Sequence, residues 1–192
     1  MRSGFVNSWI NRNPWRERMD RNDVLIFDTE TTGLDGAAEI VELSIIDTAG
    51  NVLYDALVMP KGNIPGAASR VHGIDRDMLQ KAGARPWPEH HDEVMRILQG
   101  ARTLLAYNIK YDARLLWQTV DQYALPLAQL PEQDCVMLAY AKHRRVPGSR
   151  GDYRWHKLQD ALHHEGLHVQ GQAHRALADC KATLGIARVL AR

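Results

Sequence analysis

The sequence predicts an α/β or α+β domain built on a mixed sheet with an antiparallel hairpin at one side. Three observations carry this. The unbroken apolar run Val24-Leu25-Ile26-Phe27 has the character of a strand buried on both faces. The β-branched stretches Glu39 to Thr48 and Asn51 to Met59 flank Ala49-Gly50 and read as a hairpin. Beyond Pro88, apolar residues recur at helical spacing, interrupted by further short strand-like runs, so strands and helices mix along the chain.

Residues 1 to 22 show no clear periodicity and read as an N-terminal extension, followed by a single domain over 23 to 192. The first strand runs into Asp28-Thr29-Glu30 and a Thr31-Thr32-Gly33 turn. After the hairpin, Pro60 to Pro65 closes the pair, and Arg70-Val71-His72-Gly73-Ile74 lies in a connecting segment from which His72 can reach a substrate. Pro88 to Leu98 is a helix with Val94, Ile97 and Leu98 on one side. Thr103 to Tyr107 is a short buried strand, and Asn108 is placed to cap the helix from Ile109 to about Gln122. Residues 132 to 142 contain a strand or turn at Asp134 and then a helix. Trp155 to His164 reads as a helix stopped near Gly166, and Arg175 to about Leu190 as the last helix.

Composition narrows the function. A chain of 192 residues with 24% charged and 45% hydrophobic residues has room for one substantial core, and no apolar run approaches the roughly 18 residues of a membrane span. No secretory leader is legible at the start, so a cytoplasmic location is the expectation. Cys135 and Cys180 are too few for a structural zinc cluster and read as reduced core residues. His163, His164 and His168 are near one another, but Gly166 breaks the helical register between them. The net charge of +1 is unevenly spread: Lys142, Arg144, Arg145, Arg150, Arg154 and Lys157 against Asp152 make one loop +5 and leave −4 elsewhere. A basic segment on an acidic body suits a polyanionic partner and a cation-holding centre. A GxxxxGK[ST] phosphate loop is absent.

Asp28 and Glu30 are two apart on a strand and so share a face at its C-terminal end, where open sheets place ligands. Asp112 falls in the first turn of its helix, which equally suits the helix dipole, and Asp179 borders the apolar stripe of the last helix. His174 meets Asp179 only if it stands before that helix, in the entering loop. If the end of the first strand lies beside the start of the helix after the fourth, the four acids surround one pocket of hard oxygen ligands suited to Mg²⁺ or Mn²⁺.

Three segments carry a resemblance: Phe27-Asp28-Thr29-Glu30-Thr31-Thr32-Gly33-Leu34, Ala106-Tyr107-Asn108-Ile109-Lys110-Tyr111-Asp112, and Ala173-His174-Arg175-Ala176-Leu177-Ala178-Asp179. In this order and at these separations the chain, from Val24 to Arg188, resembles the DnaQ-like 3′–5′ exonucleases of the DEDDh type. It departs from them where their second motif commonly reads His-Asn and this one reads Tyr107-Asn108. The resemblance implies a ribonuclease H-like α/β fold with a mixed five-stranded sheet, and a two-metal hydrolysis at 3′ ends that yields nucleoside 5′-monophosphates. It implies that Asp28 bridges two Mg²⁺ or Mn²⁺ ions, that Glu30 and Asp179 complete one, that Asp112 supports the other, and that His174 takes the proton of the attacking water. Substrate contacts are expected at Thr29, Thr31, His72 and Asn108, and in the basic loop at Arg144, Arg145, Arg150 and Tyr153, with Trp155 available for base stacking. Single-stranded DNA or a frayed end is the expected substrate. RNA 3′ trimming and a polymerase-associated binding or proofreading subunit are the alternatives.

Overall fold

The structure, a computed structural model, describes residues 13–126, 129–149, 151–169 and 171–192. In chain order the elements are α1 (Pro14–Met19), β1 (Val24–Thr31), β2 (Ile40–Asp47), β3 (Val52–Met59), α2 (Gly66–His72), α3 (Arg76–Lys81), β4 (Arg85–Pro86), α4 (Pro88–Gln99), β5 (Thr103–Ala106), α5 (Ile109–Gln122), β6 (Glu132–Cys135), α6 (Val136–Arg144), α7 (Leu158–His164) and α8 (Ala176–Leu190). They form one mixed sheet in the order β4-β3-β2-β1-β5-β6. β1, β2 and β3 are antiparallel, whereas β5 is parallel to both β1 and β6. The sheet therefore has six strands where five were expected. The addition, β4, is two residues long and parallel to β3. So short a strand has no periodicity to read, and its Pro86 argues against a strand in the sequence.

The predicted elements stand within a few residues of their places, with three instructive differences. β1 continues beyond the acids to Thr31, the first residue of the expected Thr-Thr-Gly turn. The connecting segment around His72 is two short helices, α2 and α3. The helix expected from Trp155 begins only at Leu158, so Trp155, His156 and Lys157 lie outside it. Of the N-terminal extension, residues 1 to 12 lie outside the described part. α1 packs Trp15 and Met19 against the core, and the Asn13 amide donates to the Leu190 carbonyl at 2.7 Å.

Two apolar layers cover the sheet because β1 is apolar on both faces. Leu25 and Phe27 face α4 and α5, among Trp87, Leu98, Leu115 and Leu116. Val24 and Ile26 face α6, α7 and α8, among Tyr140, Leu162, Cys180 and Ile186. Asp28 and Glu30 continue the second series and so point toward α8.

One topological detail makes room for a site. β5 pairs with β1 only from Val24 to Ile26, and its chain then turns at Tyr107 into α5. The β5-side edge of β1 beyond Ile26 is left without a strand, at the point where β1 has an antiparallel neighbour on one side and a parallel one on the other. This is the crevice in which open sheets bind ligands.

Candidate active site

Asp112, in the first turn of α5, fills the open edge of β1. One of its carboxylate oxygens accepts from the Thr29 backbone N–H at 3.1 Å and from the Thr29 hydroxyl at 2.8 Å. The strand's unpaired donor is thereby satisfied, and the second Asp112 oxygen takes no part in these two bonds. Asn108 precedes α5 without a side-chain capping bond, contrary to the capping role expected of it, and its side chain is exposed to the cleft.

α8 brings the other half of the site. His174 stands two residues before the helix, in the entering loop as its spacing required, and its backbone is left-handed at φ 60°. Such a conformation is uncommon for a side-chain-bearing residue and persists only where its surroundings impose it. His174, in turn, lies near enough to the Asp179 carboxylate to counter the rise that burial gives it. The next residue, Arg175, binds Glu42 of β2 in a fork, with contacts of 3.0, 3.1 and 2.6 Å, and the Ala176 N–H donates to the same carboxylate at 2.8 Å. Glu42, 4% exposed, pairs in register with Glu30 across β1 and β2. A buried carboxylate thus caps α8, is neutralised by Arg175 and fixes the helix start against the strand that carries Asp28 and Glu30.

Glu30, His174 and Asp179 each present one potential ligand atom, all within 4.8 Å of one another, and form the only group of this kind among the described residues that could hold a metal ion. His163, His164 and His168 form none. Asp28 and Asp112 adjoin the group, as their mutual repulsion shows. Burial, then Asp112, Asp179 and Glu30, hold the Asp28 carboxyl well above its usual range. Burial, then Asp179, Glu42 and Asp112, push Glu30 up to about 8. Burial raises Asp112 to about 7 against the hydrogen bonds from Thr29, and it raises Asp179 against the opposing influence of His174. Carboxyls crowded in this way are relieved only by protons or cations. Their oxygens are the hard donors that Mg²⁺ and Mn²⁺ take, so the donor set fits divalent cations of that class.

The remaining expected contacts divide. Thr29 and Thr31 are buried beside the acids: Thr29 serves Asp112, while the Thr31 hydroxyl donates to the Gly33 carbonyl and lies 2.7 Å from the Tyr111 hydroxyl. His72 is 2% exposed, accepts from the Ile74 N–H at 3.0 Å and, with its other nitrogen, donates to the Thr31 carbonyl at 3.2 Å. Both nitrogens are thus used inside the protein, which corrects the expectation of substrate contact and makes the ring a strut between α2 and the end of β1. In the basic loop, Trp155, His156 and Lys157 line a cleft of about 540 Å³ with His174 and Asp179, whereas Arg144, Arg145 and Tyr153 stand outside that lining. Arg150 lies outside the described residues.

Sequence reasoning passed over Glu42, Arg175 and Tyr111. Glu42 had a legible signal, a charge in the apolar run Ile40-Val41-Glu42-Leu43, since a charge in a buried strand requires a partner.

Comparison with known proteins agrees with this geometry. Residues 25–187 match the exonuclease family. The chain is 43% identical over 176 residues to the uncharacterized exonuclease CP81 of Escherichia phage 186, covering 89% of each. It is 28% identical to exonuclease X, whose structure was solved in complex with 5′ overhanging duplex DNA, covering 85% of this chain and 89% of that one at a TM-score of 0.58. It shares the fold of the nuclease domain of 3′hExo, a DEDDh family member bound to rAMP, at a TM-score of 0.69 and 20% identity over 88% of this chain and 92% of that one. The chain belongs to the exonuclease family and has the ribonuclease H-like fold.

Proposed function

We propose that this exonuclease shortens single-stranded DNA or frayed duplex ends from the 3′ terminus, releasing nucleoside 5′-monophosphates, with Mg²⁺ or Mn²⁺ held by Asp28, Glu30, Asp112 and Asp179. The observation that carries the reading is the meeting of four acids from β1, α5 and α8 with one accessible imidazole, His174. When bound, two divalent ions supply charge stabilisation to the attacking and leaving oxygens of an in-line displacement.

The chain's own groups do the rest. Asp112, with one oxygen committed to Thr29, offers a single oxygen to a cation. His174, held in place by its neighbour's clamp on Glu42, accepts a proton as water oxygen forms its bond to phosphorus. The bond from phosphorus to the 3′ oxygen of the penultimate nucleotide breaks, that oxygen takes a proton from solvent, and the terminal nucleotide leaves as a 5′-monophosphate. Similarity to exonuclease X, solved with DNA, supports DNA as substrate. RNA differs by contacts to the 2′-hydroxyl.

The test uses 5′-labelled single-stranded DNA, duplex DNA and RNA with Mg²⁺, Mn²⁺ or chelator, and the protein beside Asp28→Ala and His174→Ala. A descending ladder on single-stranded DNA that needs the metal and both side chains is expected, from the chain acting without a polymerase. Equal activity in Asp28→Ala overturns the reading, and preference for RNA transfers it to 3′ trimming of RNA.

A further inference from the structure

The cleft that contains His174 and Asp179 has a wall for which hydrolysis has no use. Trp155 stands on it, 59% exposed, with Asn108, Met137 and Lys157 beside it. Its backbone belongs to no helix or strand, yet the residues that follow it are anchored. The Tyr107 hydroxyl donates to the His156 carbonyl at 2.7 Å, the His156 ring sits edge-on to Tyr140 at 5.7 Å, and Leu158 packs into the layer beneath α8. His156 and Leu158 turn toward the protein, and Trp155 and Lys157, alternating with them, stay exposed. Tyr107 is also the position at which this chain departs from the His-Asn of the family it resembles, and its phenol makes the contact to the His156 carbonyl.

We infer that Trp155 is a stacking platform for one of the two nucleobases that flank the scissile phosphate, fixed in place by the Tyr107–His156 strut. The inference rests on the proposed action at a 3′ end and adds to it a base-binding subsite. A cleft of about 540 Å³ is large enough for a nucleotide. It is continuous with the reacting groups, and apart from Asp179 no acid lines it, so the wall is apolar and cationic where a base and its phosphate would lie. Every nucleobase has a π-face, so the platform holds single strands without regard to sequence.

The experiment compares the full chain with Trp155→Ala, Trp155→Phe and Tyr107→Phe on a single-stranded oligonucleotide and on two copies of it, abasic at the last or the next-to-last position. On the intact strand, Trp155→Ala should lower kcat/KM about tenfold, chiefly through KM, and Trp155→Phe should restore most of the loss. On the strand that lacks the contacted base, wild type and Trp155→Ala should be equal. Tyr107→Phe should show a smaller loss with the same insensitivity to the abasic site. An equal loss on intact and both abasic strands, or no loss at all, overturns the platform. A wild-type protein that leaves the intact strand uncut with Mg²⁺ and with Mn²⁺ overturns the nuclease reading itself, and the platform with it.

Discussion

Replacing Glu30 with Gln should make the protein more stable and abolish most of its activity, and the stabilisation should depend on pH in a defined direction. Glu30 is 9% exposed, and its carboxyl is raised from an ordinary 4.5 to about 8 by burial and by Asp179, Glu42 and Asp112. A raised carboxyl is one the fold prefers protonated. Its contribution is intact below about 4.5 and is lost progressively as the pH climbs to about 8. Each pKa unit corresponds to about 1.4 kcal/mol, so in chelator at pH 8 the ionised group costs the fold up to roughly 4 kcal/mol. Glutamine keeps the shape and has nothing to ionise. The variant should match wild type near pH 4.5 and exceed it by several kcal/mol at pH 8. His72, His90 and His156, all lowered by burial, stabilise in the opposite sense as the pH rises, but they are common to both proteins and cancel in the difference at each pH. Urea unfolding followed by circular dichroism, in chelator at four pH values between 5 and 8, measures that difference. A gap that does not widen with pH, or a variant less stable at pH 8, would refute the crowding of acids on which the site rests. Adding Mn²⁺ at pH 8 should then raise wild-type stability by more than that of the variant, because binding to the native state alone stabilises it.

Other consequences are equally direct. Thr29→Val removes the hydroxyl that orients Asp112, and steady-state kinetics should show kcat down by about tenfold, the scale of losing an outer partner of a metal ligand, with the fold intact by circular dichroism. Glu42→Ala leaves Arg175 unpaired and uncaps α8, so unfolding should reveal a loss of about 3 to 5 kcal/mol, whereas Glu42→Gln, which keeps an acceptor for the Ala176 N–H, should lose less. His174→Ala should cost roughly 10²- to 10⁴-fold in kcat while Mn²⁺ still raises its melting temperature, because the acids remain. Arg144→Ala with Arg145→Ala should flatten the salt dependence of strand binding by up to about 1.4 in logarithmic slope if both touch phosphate, and an unchanged slope would exclude that contact.

The acids were legible because each stands where an element begins or ends, and such positions have local signatures. Asp28 and Glu30 follow an apolar run, Asp112 opens an amphipathic helix, and His174 precedes one. What stayed hidden was pairwise and distant. Glu42 and Arg175 are 133 residues apart, and the pair becomes visible only when β2 and the start of α8 meet. His72 reads as an open loop histidine and is in fact sealed between Thr31 and Ile74, because no local pattern tells which side of a short helix will be covered. The two-residue β4 exists only through its pairing with β3.

By itself, then, the order of apolar and acidic residues determined the mixed sheet and the hairpin and singled out five candidate side chains, because the periodicity of strands and helices and the chemistry of carboxylates are properties of short segments. Only the tertiary structure decided how those side chains are held. The early end of β5 opens the edge of β1 to Asp112, the pairing of β2 with β1 sets Glu42 behind Glu30, and the start of α8 places His174, in a left-handed backbone, just ahead of the helix. These depend on where strands stop and which faces meet, which are energies of contact between remote segments and are not written in any one of them.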